Sequence, residues 1–269
     1  PGLVGLTSEF LVVFWKLFLG ESLLEALNSA NDKLKNTGSH HFSSLNEGVQ
    51  AVLYKDKGKR EELKNYRPIT MLNACYKVLA TAMTIRTGAV IESLIDPDQT
   101  GFISSRHITE NIRQLMDTLH YCNTEQIKGA IIMLDLEKAY DRVDHGWVFK
   151  ILKKCNFGEE YIGWVKLMYH QARKTVLCNG QQTDWVPVKS GVPQGCPFSC
   201  YIFVLSIEPL HEHMRKTKNC EGITLPNGQQ LKTSGFADDT ALYISNPDAY
   251  FEFKKALDLY CDASGAKLN

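Results

Sequence analysis

This chain lacks cysteine pairs at metal or disulfide spacing, a long apolar run, and an excess charge of either sign. Its 269 residues balance 30 basic against 30 acidic side chains, for a formal net charge of +0. With no global basic excess, any polyanion must be held by local clusters of Lys and Arg. The eight cysteines, at 75, 122, 155, 178, 196, 200, 220 and 261, never form a CxxC pair. Disulfide scaffolds are short secreted chains dense in cysteine, so reduced and mostly buried thiols are expected here. The most apolar stretch, FLVVFWKLFL over 10–19, falls well short of the ~20 residues that span a bilayer, and Lys16 interrupts it. No basic start with a cleavage site marks a signal peptide, and no membrane partner is expected. The chain opens on Pro1 without Met and stops at GAKLN without a terminal cap, so it reads as a piece of a longer polypeptide.

What is present is globular material. At 44% hydrophobic and 22% charged, there is chain enough for a sizeable core in one large domain or two subdomains. Apolar residues at helical spacing over 8–28 predict two helices or one bent around Gly20, and the polar stretch 31–46 reads as a loop. Over 49–73, two short apolar runs flank a basic connection carrying Lys55, Lys57, Lys59, Arg60, Lys64 and Arg67. Such a loop suits a polyphosphate or nucleic-acid backbone, and equally a solvated hairpin tip. Helices are expected over 75–93, 107–122, 147–170 and 199–215. GAIIMLDLEKAYDRVDH (129–145) starts as a buried strand, turns charged at Asp135 and continues in a helical pattern. Asn179-Gly180 and Asn227-Gly228 predict hairpins within 174–188 and 222–245. There is no internal repeat. The whole predicts an α+β fold, helices packed on a mainly antiparallel sheet.

GFADDTALYI (235–244) sets Asp238 beside Asp239 among strand-forming residues. Adjacent carboxylates repel and resist desolvation unless a cation lies between them. If the strand ending at Asp135 neighbours this turn, three carboxylates converge at one sheet edge. Oxygen-only clusters suit hard cations such as magnesium or manganese, and two ions would serve in-line phosphoryl transfer. Lys55 and Arg67 are candidates for a triphosphate. Singly, each element has a plain reading: a tandem Asp is commonly a solvated turn, and DLEKAYD could open any amphipathic helix. Their order and spacing, with a glycine loop between, carry the argument.

That combination resembles the reverse transcriptases. YRPITMLN (66–73), DQTGFISSRHITENI (98–112), MLDLEKAYDRVDH (133–145), GVPQGCPFS (191–199) and FADDTALYI (236–244) match the family in sequence and order. The similarity is closest to polymerases of LINE-type, non-LTR retrotransposons. PGLVGLTSEF at the start and ASGAKLN at the end resemble that family's flanking blocks, so the likeness covers nearly the whole chain. It implies a right-hand polymerase with fingers and an antiparallel palm sheet packed on helices, the thumb absent. Residues 1–128 would form an N-terminal extension and fingers, and 129–269 the palm, with 146–190 partly returning toward the fingers. The resemblance also implies roles. Asp135 and Asp238 would be the main ligands of two magnesium ions, for which manganese can substitute. Asp239 would be the second member of the pair, and the Leu136 carbonyl would assist. Tyr140 would be the steric gate against a 2′-hydroxyl. Gln194 and Gly195 would lie along the incoming nucleotide and template, and Arg67 and Lys55 would neutralise the triphosphate. Phe236 and Ala237 would shape the primer-terminus site. RNA template, DNA primer and dNTPs are the implied partners, with action in the nucleus and RNA–protein assembly in the cytoplasm.

Some residues depart from the family pattern. Val4 stands where an acidic residue is usual, Ser104-Ser105 where a Pro- or Lys-Gly pair precedes the arginine, and Cys200 where proline is customary. The chain stops before the lysine thought to protonate pyrophosphate. An RNA-templated RNA polymerase would share the palm chemistry, but Tyr140 opposes it, since ribonucleotide use needs a smaller or polar residue. A catalytically impaired or non-catalytic nucleic-acid-binding remnant is opposed by three intact carboxylates, which a merely binding surface does not need. Cys196, Cys200, His211 and His213 could suggest zinc, but the apolar helical stretch between them would separate the ligands. His145 reads as a surface cap rather than a base. Trp147, Trp164 and Trp185 read as core aromatics rather than base-stacking platforms.

Overall fold

The structure, a computed structural model, describes residues 5, 7–39 and 42–269, so Val4 lies outside the described residues. In chain order the elements begin α1 (Ser8–Phe14), α2 (Gly20–Thr37), β1 (Glu47–Tyr54), β2 (Tyr66–Leu72), α3 (Ala74–Gly88), α4 (Ile91–Leu94) and α5 (Ile108–Thr124). There follow β3 (Ala130–Leu134), α6 (Ala139–Arg142), α7 (His145–Lys154), α8 (Glu159–Tyr169), β4 (Arg173–Cys178), β5 (Gln181–Gln182) and β6 (Val186–Pro187). The last are α9 (Pro197–Lys216), β7 (Ile223–Thr224), β8 (Gln230–Leu231), β9 (Thr233–Phe236), β10 (Asp239–Ile244) and α10 (Pro247–Ser264). They form two compact units. The first takes the described residues up to Arg86 with Leu152–Ser199, and the second Thr87–Ile151 with Cys200–Asn269.

In the first unit a π-helical turn, Trp15–Leu19, joins α1 to α2, so the expected helices are one run with a widened turn just before Gly20. α2 continues to Thr37, well into the stretch expected to be a loop. Its buried stripe of Leu23, Leu27, Ala30 and Asn31 places a polar residue where an apolar one is usual, which hid the helix from a polarity argument. The sheet runs β2–β1–β4–β5, with β6 also on β4. β1 pairs antiparallel with β2, and β4 with β5 and β6, as expected of a mainly antiparallel sheet, but β1 and β4 are parallel, which the sequence did not announce. A parallel return needs a long crossover, and the chain supplies one between β2 and β4. Asn46 ties α8 to the start of β1, its Nδ2 donating to Leu167 O and His170 O at 2.7 Å each. The helix expected over 147–170 is two, α7 and α8, parted at Asn156, whose φ is 59°.

The second unit holds the antiparallel sheet β3–β10–β9 and the separate hairpin β7–β8. Phe203, Val204, Ile207 and Leu210 of α9 are buried, as are Phe253 and Leu257 of α10. Ile223 and Leu231 of the hairpin pack with Ala241 and Tyr243 of β10. Trp147 is a packing residue: its ring lies edge-on to Tyr260 at 6.2 Å, and Nε1 donates to Ser206 O at 3.0 Å. The cap of α7 is Asp144, whose carboxylate accepts from Trp147 N at 2.7 Å, rather than His145. In the first unit, Trp185 is 39% exposed beneath the Arg173 guanidinium, so it is not a core residue. All eight cysteines are free, but only Cys196 and Cys220 are fully buried. No described helix is long and apolar enough to cross a membrane.

Candidate active site

The second unit brings the acidic residues together through strand register. β3 and β10 pair antiparallel with Leu134 opposite Thr240, so one further step sets Asp135 opposite Asp239 on the same face. β10 also pairs with β9, Asp239 opposite Phe236, so Ala237-Asp238 is the two-residue tip of a tight hairpin. Asp135 and Asp239 are exposed, and Asp238 is half-buried. Burial, first, and then the charges of Asp239 and Asp135 push the Asp238 carboxyl above its ordinary value. A nearby cation would relieve both causes. No three His, Cys, Asp or Glu side chains among the described residues stand close enough to hold an ion unaided. The donors are oxygens throughout, which fits a hard divalent ion better than zinc.

Asp135 has a partner that sequence reasoning missed. Asn269 Nδ2 donates to Asp135 Oδ2 at 2.7 Å, and Asn269 N donates to Asp135 O at 3.0 Å. Leu268 pairs with Leu136 in a short antiparallel bridge, and Glu137 N donates to Lys267 O at 2.8 Å. Since the bonds of that bridge run through the residues flanking Leu136, the bridge leaves the Leu136 carbonyl unused.

Tyr140 lies on the short helix α6, with its ring stacked on Phe203 at 4.7 Å and 8°. Phe203 is 2% exposed, so it backs one ring face with a rigid wall. The Tyr140 hydroxyl is buried without a full hydrogen-bond partner, the weakly polar Cys200 thiol lying beside it. Burial pushes its pKa up, Cys200 and then the Asp238 charge adding to this, so the phenol stays protonated. Phe236 is half-buried and Ala237 fully buried at the foot of the hairpin tip.

The first unit gathers the other set. Lys55 N donates to Asn65 O at 2.9 Å, extending the β1–β2 ladder past Tyr54 and Tyr66. With Leu53 opposite Arg67, Lys55 and Arg67 are diagonal neighbours on one face, and both are exposed. The loop between is held by its own bonds, among them Tyr54 Oη to Gly58 O at 2.6 Å and Asn65 Nδ2 to Lys59 O at 2.7 Å. It is a braced basic hairpin whose residues 55–61 are all exposed to solvent. Gln194 O accepts from Thr70 N at 2.9 Å, docking the PQG turn on β2. Gly195 takes φ 105°, and a Cβ there would lie 3.1 Å from Thr70 O and 3.7 Å from Ile69 Cγ2. Ile69 shares the strand face of Arg67, so Gly195 stands on that same side. Cys196, expected as a core thiol, lies against Tyr76 in this unit, while in the other unit Cys200 neighbours Tyr140 and His211 bonds Thr240 Oγ1 at 3.2 Å.

Solved structures share this fold at low identity. Over 93% of this chain and 48% of the other, the TM-score to apo telomerase from Candida tropicalis is 0.54 at 12% identity. For telomerase from Candida albicans in complex with a TWJ fragment of telomeric RNA it is 0.54 at 11% identity, covering 91% of this chain and 44% of that one. Residues 54–269 match the family Reverse transcriptase (RNA-dependent DNA polymerase), and the chain belongs to that family. It is 33% identical over its full length to the transposon TX1 uncharacterized 149 kDa protein of Xenopus laevis, of which it covers 20%. It is 26% identical, over 74% of the chain, to a Pol polyprotein from the type-1 retrotransposable element R2 of Popillia japonica, of which it covers 27%. A probable RNA-directed DNA polymerase from transposon BS of Drosophila melanogaster is 26% identical over 72% of the chain, which covers 21% of it. The chain therefore spans about a fifth to a quarter of these relatives and is the reverse transcriptase domain of a protein related to non-LTR retrotransposon polymerases.

Proposed function

We propose that this domain extends a DNA 3′-hydroxyl with dNTPs on an RNA template. The observation that carries the reading is the β3–β10 register that sets Asp135 opposite Asp239, beside Asp238 at the hairpin tip. Two magnesium ions held by Asp135 and Asp238, with Asp239 and the Leu136 carbonyl in support and manganese as a substitute, would supply the charge that stabilises attacking and leaving oxygens in an in-line displacement. The remaining work falls to the chain's own side chains. Arg67 and Lys55 present two cations on one strand face, suited to a triphosphate. Gly195 lets backbone come close to a nucleotide and template, with Gln194 beside it. Phe236 and Ala237 border the primer terminus. Tyr140, backed by Phe203, offers a ring fixed from behind, so it cannot yield to a 2′-hydroxyl. The duplex is read by shape and backbone rather than base sequence. The fingers and palm assignment follows the same reading. So does action in the nucleus after RNA–protein assembly in the cytoplasm.

Primer extension on an RNA template, with dNTPs and magnesium, tests the proposal. Extension that requires template, primer and divalent ion together supports it. A domain that binds the duplex but adds no nucleotide under either magnesium or manganese is instead a binding remnant. A second expectation concerns Tyr140→Ala, which should ease incorporation of ribonucleotides by about 10- to 100-fold relative to dNTPs, the scale of removing one steric contact. Unchanged discrimination would remove Tyr140 from the gate.

A further inference from the structure

We propose that Gln99 is a positioning residue for the hairpin tip that bears Asp238 and Asp239, an inference that rests on the metal-site reading above. Gln99 is 0% exposed, yet it lies in a connecting segment rather than in a helix or strand. Its side-chain amide is spent on the tip. Oε1 accepts from Ala237 N at 2.8 Å and from Gly101 N at 2.9 Å, and Nε2 donates to Ala237 O at 3.2 Å. Both backbone groups of Ala237 are thus taken by a side chain 138 residues away.

Ala237 needs such support because its φ is 57°, a left-handed conformation that a residue with a Cβ avoids unless its surroundings impose it. The two carboxylates that follow it repel, which favours any rotation of the tip that parts them. The carbonyl held by Nε2 belongs to the peptide that joins Ala237 to Asp238. Fixing that peptide plane fixes the direction in which the Asp238 side chain leaves the backbone. The flanking contacts act in the same sense. Thr100 N donates to Gly235 O and Gly235 N to Asp98 O, both at 2.8 Å, so Gln99 makes a single parallel bridge to Gly235 of β9. Asn111 Nδ2 adds bonds to Ser234 Oγ at 2.7 Å and Gly235 O at 3.0 Å. Gly101 completes the clamp by close approach, since a Cβ there would overlap Ala237 N and lie 2.9 Å from Ala237 Cα. The block DQTG, one of the stretches that resemble the family, thus has a physical role in this chain: it sets the geometry of the acidic turn without touching substrate.

The test is manganese binding by the full chain with a dNTP present, whose phosphates can complete the ion's coordination, followed by the electron paramagnetic resonance of the free ion and corrected for binding by the dNTP alone. Gln99→Met keeps length and bulk but loses all three bonds. Its dissociation constant for manganese should rise about 10- to 100-fold, the usual effect of removing a partner that orients a metal ligand. The melting temperature and circular dichroism verify that the variant is folded; a role in packing alone would lower the first without changing ion affinity. Asp238→Asn is measured in parallel. If it abolishes binding while Gln99→Met binds within about twofold of wild type, a change near the noise of such titrations, the clamp is overturned and the metal site stands. If Asp238→Asn binds as wild type does, the metal-site reading falls, and the clamp's purpose with it. Should Gln99→Met not fold, hydrogen exchange on the unaltered protein decides. Slow exchange at both Ala237 and Gly101 amides supports the clamp, and exchange at the solvent rate overturns it.

Discussion

Replacing Asp238 with asparagine is expected to cut RNA-templated primer extension by about 10³-fold or more, the scale of losing a preorganised charge-stabilising group. The same change should raise the melting temperature in metal-free buffer. Both effects follow from one arrangement: a half-buried carboxylate held beside Asp239 and opposite the strand end that carries Asp135. Burial, and then repulsion, lift the Asp238 pKa in the folded chain above its ordinary value of 3.8. The folded state therefore binds this proton more tightly than the unfolded state does. The group's contribution to stability is most favourable below 3.8 and worsens as pH rises through the raised value. Above the raised value the full penalty is present, and asparagine removes it while keeping the shape. Manganese should stabilise the wild type by mass action and leave the asparagine variant nearly unchanged. Primer extension at the wild-type rate by Asp238→Asn would falsify the assignment. This is the usual conflict between activity and stability, placed at one residue.

Arg215→Met should produce the largest loss of stability in the second unit. The Arg215 guanidinium bonds Asp98 Oδ1 at 2.8 Å and Oδ2 at 3.0 Å, approaches Asp96 at 3.3 Å and pairs with Glu208. Asp98 and Glu208 are 13% and 11% exposed at their side chains, so neither can turn to water when the cation goes. Breaking a buried pair from one side costs about 3–5 kcal/mol, which for a chain of this size lowers the melting temperature by roughly 10 °C. The consequence should reach the acidic turn, because Asp98 O also accepts from Gly235 N in β9.

The pH dependence of this cluster has a definite sign. Burial outweighs the attraction of Arg215 and pushes Glu208 up to about 7, from an ordinary value of 4.5. The folded state holds this proton more tightly, so its contribution is greatest below 4.5 and is lost as pH rises through about 7. Glu208→Gln should therefore flatten the decline in stability between pH 5 and 8. The defect of Arg215→Met should shrink at pH 5, where Glu208 is protonated. Denaturant unfolding at the two pH values measures both, and an Arg215→Met variant as stable as wild type at pH 8 sinks the argument.

Much of the chemistry was legible without coordinates. The pair Asp238-Asp239 among apolar neighbours, the apolar run that turns charged at Asp135, and the order of five motifs each carry their meaning locally. A strand reads as alternation or a buried run, a hairpin as Asn-Gly, and an acidic pair in such a strand as an unpaid electrostatic cost. The failures were physical rather than random. α2 ran past its expected end because Asn31 is buried in a helical stripe, so polarity marked packing instead of a loop. The parallel β1–β4 pair could not be foreseen, since strand pairing across more than a hundred residues leaves no local period. The cap of α7 falls on Asp144 and not on its neighbour His145, the kind of one-residue choice that depends on side-chain direction.

What the sequence determined by itself is the inventory: three carboxylates, a basic β-ribbon, a tyrosine five residues after the first aspartate, and membership of a polymerase family. Tertiary structure alone decided who holds whom. It gave Ala237 both of its backbone partners in Gln99, set Asn269 on Asp135, and put Phe203 behind the Tyr140 ring. Those pairings join residues 63 to 138 positions apart in the chain. At such separations only the packing of a finished fold offsets the entropy of closing the loops, so no local signal in the chain announces them.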